Sequence, residues 1–262
     1  LSPIEIRSVR AADLAPFTKT NIRKKEIEKM NLGQDIPFLL NQTPGVVINS
    51  DAGNGIGYTG IRIRGTDASR INITLNGIPF NDAESQGSFF VDLPDFSSST
   101  GSIQVQRGVG TSSNGAGAFG ASINLSTNEI NKVAYAELNN SSGSFNSWKN
   151  TLKAGTGLLD NHFTADMRLS SITSDGYIDR AFSKLKSLQF SMAYINGKSS
   201  LRFNIFSGNE KTYQAWNGIT EADLKAGKRK TNYAGTEKTG GPYNNEIEQY
   251  EQNHYQLFFT HQ

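Results

Sequence analysis

Cysteine is absent from the 262 residues of this chain. Its absence excludes disulfide frameworks and metal sites built from thiolates. An excess of charge of one sign is also lacking, because the formal net charge is +2, and this gives no reason to predict nucleic-acid binding. No apolar stretch approaches the roughly 18–20 residues that a membrane-spanning helix needs. The start of the chain lacks the layout of a secretory signal, which indicates a cytosolic protein or a processed or truncated chain.

Recognisable patterns for catalysis and metal binding are missing as well. The sequence contains no G-x-S-x-G nucleophile motif, and its three histidines, His162, His254 and His261, lack the spacing of metal ligands. We therefore predict that the protein is not an enzyme and that it holds no cofactor and no metal ion.

Glycine, in contrast, is frequent, and it concentrates in the stretch VQRGVGTSSNGAGAFGASINLST from Val105 to Thr127. A phosphate-binding loop would continue into a Lys-Ser or Lys-Thr pair and a helix. Here Gly120 leads into the strand-like ASINLST, and GNGIG at 53–57 leads into the strand-like YTGIRIRG. Because glycine permits close backbone approach and positive φ angles, we expect a thin, conformable segment. A flexible linker is the alternative interpretation.

The first half of the chain has the pattern of a mixed α/β unit. A short helix is predicted over Arg23–Met30, with Asn21 as its N-cap and Gly33 after its end. A second short helix is predicted to begin at the cap Asp35 and to end before Pro44-Gly45. Four β-branched segments flanked by Gly, Asn or Ser predict strands: GVVIN, GIRIRG, INITLNGIPF and GSIQVQRG.

The second half has almost no helix signal and consists of alternating segments. Four segments place apolar residues at every second position, which puts them on one side of a sheet: HFTADMRLSSI, LQFSMAY, LRFNIFS and NHYQLFFTH. Two further segments, 132–140 and 148–156, fit the alternation less well.

The connections between these segments vary in length in a regular way. They are medium (SSGSFNS), short (GLLDN), medium (SDGYIDRAFSK), short (NGKSS) and very long, from about Gly208 to Gln252. Alternation of short turns with long loops is typical of transmembrane β-barrels, and a soluble all-β domain is the alternative. About six strands are too few to close a barrel, whose smallest members have about eight. We therefore expect the chain to be the N-terminal part of a larger barrel protein.

Several motifs in the first half together resemble the plug domain of a TonB-dependent outer-membrane receptor of the Bacteroidetes type. The matching residues are Pro44-Gly45-Val46, Ile63-Arg64-Gly65, Asn76-Gly77-Ile78-Pro79, Arg107-Gly108 and the stretch from Gly120 to Ile123-Asn124. Asn76 stands where many family members have Asp, and either residue tolerates the left-handed turn. The resemblance is strong over about residues 1–127 and looser beyond them.

The resemblance implies an α+β plug domain followed by antiparallel transmembrane β-barrel strands, as a fragment of a plugged 22-strand barrel. We expect a segment resembling a TonB box at 1–15, the plug at 16–127 and about six barrel strands at 128–262. It also implies salt bridges from Arg64 and Arg107 to carboxylates of the barrel wall, with Arg62 as a further charge of interest. Solvated arginines are the alternative.

The function that the resemblance implies is active transport of a scarce nutrient across the outer membrane, with the plug gating the barrel. TonB, energised by ExbB and ExbD, would bind the N-terminal segment at Ile4, Glu5 and Ile6 by strand addition. A first plug strand or a frayed terminus is the other interpretation of that segment. The rival function is a non-transporting periplasmic or extracellular binding module with a soluble β-domain.

Aromatic residues supply candidates for contact with an extracellular small-molecule ligand, because their rings stack on sugars, porphyrins or catecholates. They occur in SQGSFF and in the long loop: Phe89, Phe90, Tyr213, Trp216, Tyr233 and Tyr243. Packing within the loops explains them equally well. The sequence does not choose among a ferric siderophore, haem, cobalamin and a glycan.

Overall fold

The computed structural model describes residues 10–12, 14–110, 117–237 and 239–261. Two larger sheets and one two-stranded sheet account for all of the strands in these ranges. The strands are β1 (Lys19–Arg23), β2 (Val46–Ser50), β3 (Thr59–Ile63), β4 (Ile71–Leu75), β5 (Ile78–Pro79), β6 (Ser102–Arg107), β7 (Ala121–Ser126), β8 (Tyr135–Gly143), β9 (Ser147–Gly155), β10 (Phe163–Ser174), β11 (Ser183–Asn196), β12 (Ser199–Tyr213) and β13 (Ile247–His261). The helices are α1 (Lys24–Met30), α2 (Ile36–Leu39) and α3 (Glu221–Lys225).

The N-terminal unit, residues 10–126, is built around a five-stranded sheet with strand order β1-β6-β7-β4-β5. Strands β4 and β7 are parallel and the other pairs are antiparallel. Every residue of β7 is buried, because the sheet is covered on both faces. The main core cluster joins β-branched residues of this sheet with Leu39 and Leu40 of the α2 region.

The outer sheet, β8 to β13, is an antiparallel meander in which each strand pairs with the next. Burial alternates along its central strands, β10 to β12, and most of the buried residues are polar. In β10, for example, Thr164, Arg168 and Ser170 are buried, whereas Met167 and Leu169 are exposed. A sheet that buries polar side chains and exposes apolar ones has the pattern of a barrel wall that faces lipid.

The N-terminal unit packs against the inward face of the outer sheet. Phe206 of β12 points inward and joins the main core cluster, where its ring contacts Phe96 at a centroid distance of 5.3 Å. A Cβ atom at Gly208 would overlap the carbonyl oxygen of Asp92, so only glycine allows this approach of the two backbones.

Most predicted elements are present, with differences at their ends. Helix α1 begins at Lys24 and its N-cap is Arg23, so the expectation that Asn21 caps it is wrong. Asn21 lies in β1, a strand that the sequence did not indicate. Asp35 occupies the N-cap position of α2, but its side chain accepts a hydrogen bond from Thr59 Oγ1 (3.0 Å) instead of capping the helix.

The six predicted outer strands are present, but the connections differ from the expected alternation. Residues 144–146 form a three-residue turn where a medium connection was predicted, and residues 156–162 form a longer one where a short turn was predicted. The last loop covers residues 214–246, because β12 and β13 extend further than their alternation indicated. It contains the short helix α3, which Thr220 caps. None of the helices in the described ranges is long and apolar enough to cross a membrane.

Candidate functional site

A buried ion network joins the N-terminal unit to the outer sheet at Asp95. The side chain of Asp95 is 0% exposed, and its carboxylate lies 2.8 Å from Lys149 Nζ and 3.7 Å from Arg168 Nη1. Thr151 Oγ1 donates a hydrogen bond to it at 2.6 Å, and Ser170 donates a second. These four partners belong to β9 and β10, so one carboxylate links the N-terminal unit to two strands of the outer sheet.

The same network continues around the guanidinium group of Arg168. Its Nη1 donates to Ser170 Oγ and Ser187 Oγ, each at 2.8 Å, and its Nε donates to Ser99 Oγ. Ser187 Oγ in turn donates to the carbonyl oxygen of Pro94 at 2.6 Å. The guanidinium group of Arg168 is therefore hydrogen-bonded both to the outer sheet and to the segment that carries Asp95.

Two opposing effects set the pKa of Asp95. Burial alone would raise it, but the charges of Arg168 and Lys149 and the hydrogen bonds of Lys149 and Ser170 outweigh burial and lower the pKa to about 2. The carboxyl group is therefore ionised at neutral pH.

Asn76 forms a second junction between the N-terminal unit and the outer sheet. It takes a left-handed conformation (φ 54°) in the β4–β5 turn, followed by Gly77 at φ 86°, as a two-residue hairpin of this type requires. Its Nδ2 donates to Gln256 Oε1 of β13 (3.0 Å) and to Thr127 Oγ1 (2.9 Å). The backbone N–H of Thr127 donates to Asn76 Oδ1 at 2.8 Å. One side chain thus links the hairpin to the exit of β7 and to the wall.

The predicted arginines lie away from this network. Arg62 and Arg64 are exposed, and Arg107 Nη1 donates to the carbonyl oxygen of Pro44 at 3.0 Å. Within the described ranges, neither Arg64 nor Arg107 lies within ion-pair distance of a carboxylate. Their pairing with wall carboxylates stays a prediction.

The glycine-rich segment passes close to other parts of the N-terminal unit. A Cβ atom at Gly120 would overlap Thr66 Oγ1 and would lie 2.8 Å from the carbonyl oxygen of Arg70, so this position requires glycine. Gly65 and Gly108 have positive φ angles of 81° and 90°. The buried Asn124 accepts a hydrogen bond from Thr74 through its side chain. Residues 111–116 lie outside the described ranges.

A cavity of about 560 Å³ opens between the N-terminal unit and the loop end of the outer sheet. Two of the predicted ligand contacts, Phe89 and Trp216, line it. Three aromatic residues that were not predicted also line it: Tyr58, Phe80 and Tyr250. Its size is within the range of small-molecule sites.

Carboxylates give the cavity a negative lining, formed by Asp51, Asp82, Asp92 and Glu248. Burial, together with the charges of Glu248 and Asp82, raises the pKa of Asp92 to about 7. Behind the lining, Tyr58 Oη donates to Glu210 Oε1 at 3.2 Å, and burial raises the pKa of Tyr58. The cavity therefore combines aromatic rings with an excess of carboxyl groups.

The other predicted ligand contacts are not part of this lining. Phe90 is buried in the main core against Phe80, and Tyr213 is buried with its hydroxyl donating to the carbonyl oxygen of Tyr243. Tyr233 Oη donates to Asp223 at 2.6 Å within the loop. Contact of these residues with a ligand stays a prediction, and their observed contacts fit loop packing.

The predicted TonB contacts, Ile4, Glu5 and Ile6, lie outside the described residues. The chain just after them is bonded to β6: Ala11 N–H donates to Gln104 Oε1 (2.7 Å) and Gln104 Nε2 donates back to the carbonyl oxygen of Ala11 (3.1 Å). Arg10 donates to Ser102 Oγ and to the carbonyl oxygen of Asn124. In the described part of the chain, no cluster of three or more His, Asp or Glu residues could hold a metal ion.

Sequence reasoning missed Asp95, Lys149 and Arg168. The available signal was a charged residue on the polar face of an alternating strand, since Arg168 lies on the polar face of the segment HFTADMRLSSI. Asp95 lies in no strand, so this signal did not mark it. The sequence does not show which residues that are far apart along the chain lie in contact in the fold.

Comparison with known proteins agrees with this architecture. A family model described as the TonB-dependent receptor plug domain matches residues 12–122. No curated protein matches the chain. Among solved structures, the ferric yersiniabactin uptake receptor of Yersinia pestis aligns with a TM-score of 0.69 at 14% identity, over 96% of this chain and 43% of that one.

Two further solved structures show the same fold. The ferric-catecholate import receptor of E. coli K12 aligns with a TM-score of 0.68 at 17% identity, over 94% of this chain and 36% of that one. The siderophore receptor of Acinetobacter baumannii aligns with a TM-score of 0.62 at 18% identity, over 76% and 32%. The chain thus spans less than half the length of these receptors. Residues 12–122 match the TonB-dependent receptor plug domain, and the chain has the fold of a receptor plug followed by β-barrel strands.

Proposed function

We propose that the intact protein is a TonB-dependent transporter of the outer membrane, in which the N-terminal unit, here called the plug, gates a barrel. The observation that carries this proposal is the position of the plug. It packs on the polar inner face of the outer sheet, whose other face is apolar. A soluble binding module has no reason to expose the outward apolar residues of β10 to β13 to solvent. The relatives of known structure are described as receptors and transporters, in keeping with a role that is not enzymatic.

In this proposal the ligand binds in the cavity beside Phe89 and Trp216. Within the described residues the lining offers aromatic faces and carboxylates, which favours a ligand with hydroxyl or cationic groups. An anionic ligand would need cationic groups from elsewhere in the protein. The choice among a ferric siderophore, haem, cobalamin and a glycan therefore stays open, although the matched structures are described as a ferric yersiniabactin uptake receptor, a ferric-catecholate import receptor and a siderophore receptor.

TonB, energised by ExbB and ExbD, would act at the opposite end of the plug. The segment at Ile4, Glu5 and Ile6 would add as a strand to TonB, and tension on it would reach β6 through the contacts of Arg10 and Ala11. Exposed Arg62 and Arg64, together with Arg107, would face wall strands outside this chain. Membership of the Bacteroidetes-type subclass stays a prediction.

The two tryptophans of the chain provide a direct test of the ligand site. Trp216 lines the cavity, whereas Trp148 is exposed on β9. In the intact protein, a ligand in the cavity should change a part of the tryptophan fluorescence that Trp216→Phe removes and Trp148→Phe leaves in place. We would screen a ferric siderophore, haem, cobalamin and an oligosaccharide, and then measure uptake of the responding compound in cells with and without TonB.

The outcomes separate the two functions. Ligand-dependent fluorescence with uptake that requires TonB is the expected result, and Trp216→Ala should lower affinity at least tenfold while Trp148→Ala leaves it unchanged. Binding without any TonB-dependent uptake would favour the non-transporting binding module. Uptake that is equally fast in cells without the protein would contradict the transport function, and a fluorescence response to none of the compounds would contradict ligand binding in the cavity.

A further inference from the structure

The lipid-facing side of the outer sheet changes character along β11. The outward residues at the start of the strand are Lys184 and Lys186, and the next outward residues are all apolar or aromatic: Leu188, Phe190, Met192 and Tyr194. The apolar part covers about 20 Å of strand at a rise of about 3.3 Å per residue. The lysines therefore stand at the boundary of an apolar belt.

Lysines of two neighbouring strands meet at this boundary. Lys184 lies directly opposite Lys211 of β12, and Lys186 lies opposite Asn209. Like charges in directly opposite positions of a sheet repel. Within the described ranges, no carboxylate lies within ion-pair distance of the three ammonium groups. This holds also for Glu251 of β13, which lies opposite Asn209. The lysine cluster, Lys184, Lys186 and Lys211, therefore concentrates unneutralised positive charge.

A shallow groove crosses the strands at the edge of the belt, beside this cluster. Its volume is about 490 Å³, and it is lined by leucines of four neighbouring strands together with Lys186. The leucines are Leu138, Leu152, Leu169 and Leu188. An apolar groove that ends at a cation matches an amphiphile with a hydrocarbon chain and an anionic head.

The position of the cluster decides which leaflet of the membrane it meets. Lys184 and Lys211 lie at the end of the sheet where the connection 175–182 and the loop 214–246 emerge. The opposite end has the two-residue turn at 197–198. Because long loops of transmembrane barrels are extracellular, the cluster lies at the outer-leaflet boundary.

We propose that the lysine cluster binds the phosphate of a phosphate-bearing lipid of the outer leaflet, whose acyl chain lies in the leucine groove. The proposal rests on the placement of the protein in the outer membrane and is independent of the transported ligand. A bilayer occupies the belt below the lysines, so a lipid is the partner that reaches both the groove and the charges. Three lysines without anionic partners in the described part of the chain supply the complementary charge.

The test uses the intact protein in a non-ionic detergent, with bound lipid counted by native mass spectrometry. The probes are lipid A, phosphatidylcholine and inorganic phosphate. The variant K184Q/K186Q/K211Q removes the cluster, and the control K198Q/K225Q/K228Q removes the same number of exposed lysines elsewhere. We expect the cluster variant to bind lipid A at least tenfold more weakly, and the control variant to bind it like the unchanged protein.

A second variant tests the groove separately from the charges. Ser171→Phe fills the space beside Lys186, which lies opposite Ser171 in the sheet register, and leaves all three lysines in place. It should weaken lipid A binding as well. Equal retention of lipid A by all variants, or binding of phosphatidylcholine as tight as that of lipid A, would overturn the proposal, and so would inorganic phosphate binding as tightly as lipid A.

The melting temperature of each variant shows whether it is folded. We expect K184Q/K186Q/K211Q to leave the melting temperature unchanged, because the three side chains face outward. Uptake assays on the same variants keep the two proposals apart. Lost lipid binding with intact TonB-dependent uptake supports the lipid site alone, and intact lipid binding without uptake contradicts only the transport function.

Discussion

Asp95 shows how much one side chain contributes to the junction between plug and wall. Its carboxylate neutralises two buried cations, Lys149 and Arg168, whose side chains are each 5% exposed. A buried ion pair is not strongly stabilising in itself, but removing one partner leaves the others charged and desolvated. The Asp95 backbone is also left-handed, with φ at 53°.

We therefore expect Asp95→Asn to loosen the plug. Asparagine tolerates the same backbone conformation, so the substitution removes the charge alone, and the cost should be about 3 kcal/mol because two buried cations lose their partner. Urea unfolding and protease digestion of the plug measure it in the intact protein, and vancomycin sensitivity measures leakage in cells. Asp67→Asn, at an exposed carboxylate of the same plug, is the control and should change neither property.

Asp35 leads to a prediction about how the free energy of unfolding depends on pH. Burial raises its pKa to about 8, partly offset by the hydrogen bond from Thr59 and reinforced by the charge of Asp95. The folded state therefore binds more protons than the unfolded state between about pH 4 and pH 8. The free energy of unfolding should fall as pH rises through this range, by at most about 1.4 kcal/mol per pH unit.

Asp35→Asn should remove this part of the pH dependence. The amide oxygen of the introduced asparagine can still accept the hydrogen bond of Thr59, so the comparison isolates the titration. We would measure urea unfolding of the plug at about pH 5 and about pH 8 in the intact protein and in the variant, on either side of most of the titration. An identical difference between the two pH values in both proteins would show that Asp35 is ionised throughout.

At the scale of elements, the β4–β5 hairpin joins three parts of the chain through Asn76. The turn needs a residue that tolerates positive φ, and the side chain also bonds Thr127 and Gln256. Backbone and side chain therefore make separable contributions.

Two substitutions at this position measure them. Asn76→Gly keeps the turn and removes the hydrogen bonds, which should cost about 1–3 kcal/mol because buried partners lose their bonds. Asn76→Ala removes both and should cost about 1 kcal/mol more, since alanine disfavours the left-handed region. Urea unfolding of the intact protein reports both values, and equal values would show that the turn is not strained by Cβ.

The elements differ in how far the sequence determines them. The alternating strands β10 to β13 could be predicted because their period of two is a local property. Strand β1 could not, because KTNIR becomes a strand only by pairing with β6, far along the chain. The Gly- and Ser-rich SSGSFNS was predicted as a loop, yet Ser141–Gly143 continues β8 because β9 provides a pairing partner.

At the scale of the whole molecule, the candidate sites come from separate stretches of the chain. The cavity takes Tyr58 and Phe89 from plug loops and Trp216 and Tyr250 from the wall end. Composition could mark Phe89 and Trp216 as exposed aromatic candidates, but the packing of the plug on the wall decides which rings reach the cavity. The same holds for Phe90, which is adjacent to Phe89 and is buried in the core.

These 262 residues contain no cysteine, so a disulfide introduced into the plug meets no other thiol of the plug. Strand β1 is the edge of the plug sheet and follows the N-terminal segment. In the proposed transport, tension on that segment should therefore break the contacts of Arg10 and Ala11 and then separate β1 from β6 before the other strands of the sheet separate. Asn21 and Gln104 are directly opposite in this pair, at a distance that a disulfide can bridge. The double substitution to cysteine should leave ligand binding unchanged and reduce TonB-dependent uptake at least tenfold when oxidised, with recovery after reduction.

The matched control places the disulfide inside the sheet. Gln106 and Ser122 are opposite in the β6–β7 pair, which edge separation leaves intact, so locking them should permit uptake. If the β1–β6 lock permits uptake as well, the plug opens elsewhere. The Asp95 junction between the plug and the outer sheet would then be the next place to lock, because a moving plug would have to break this contact as well.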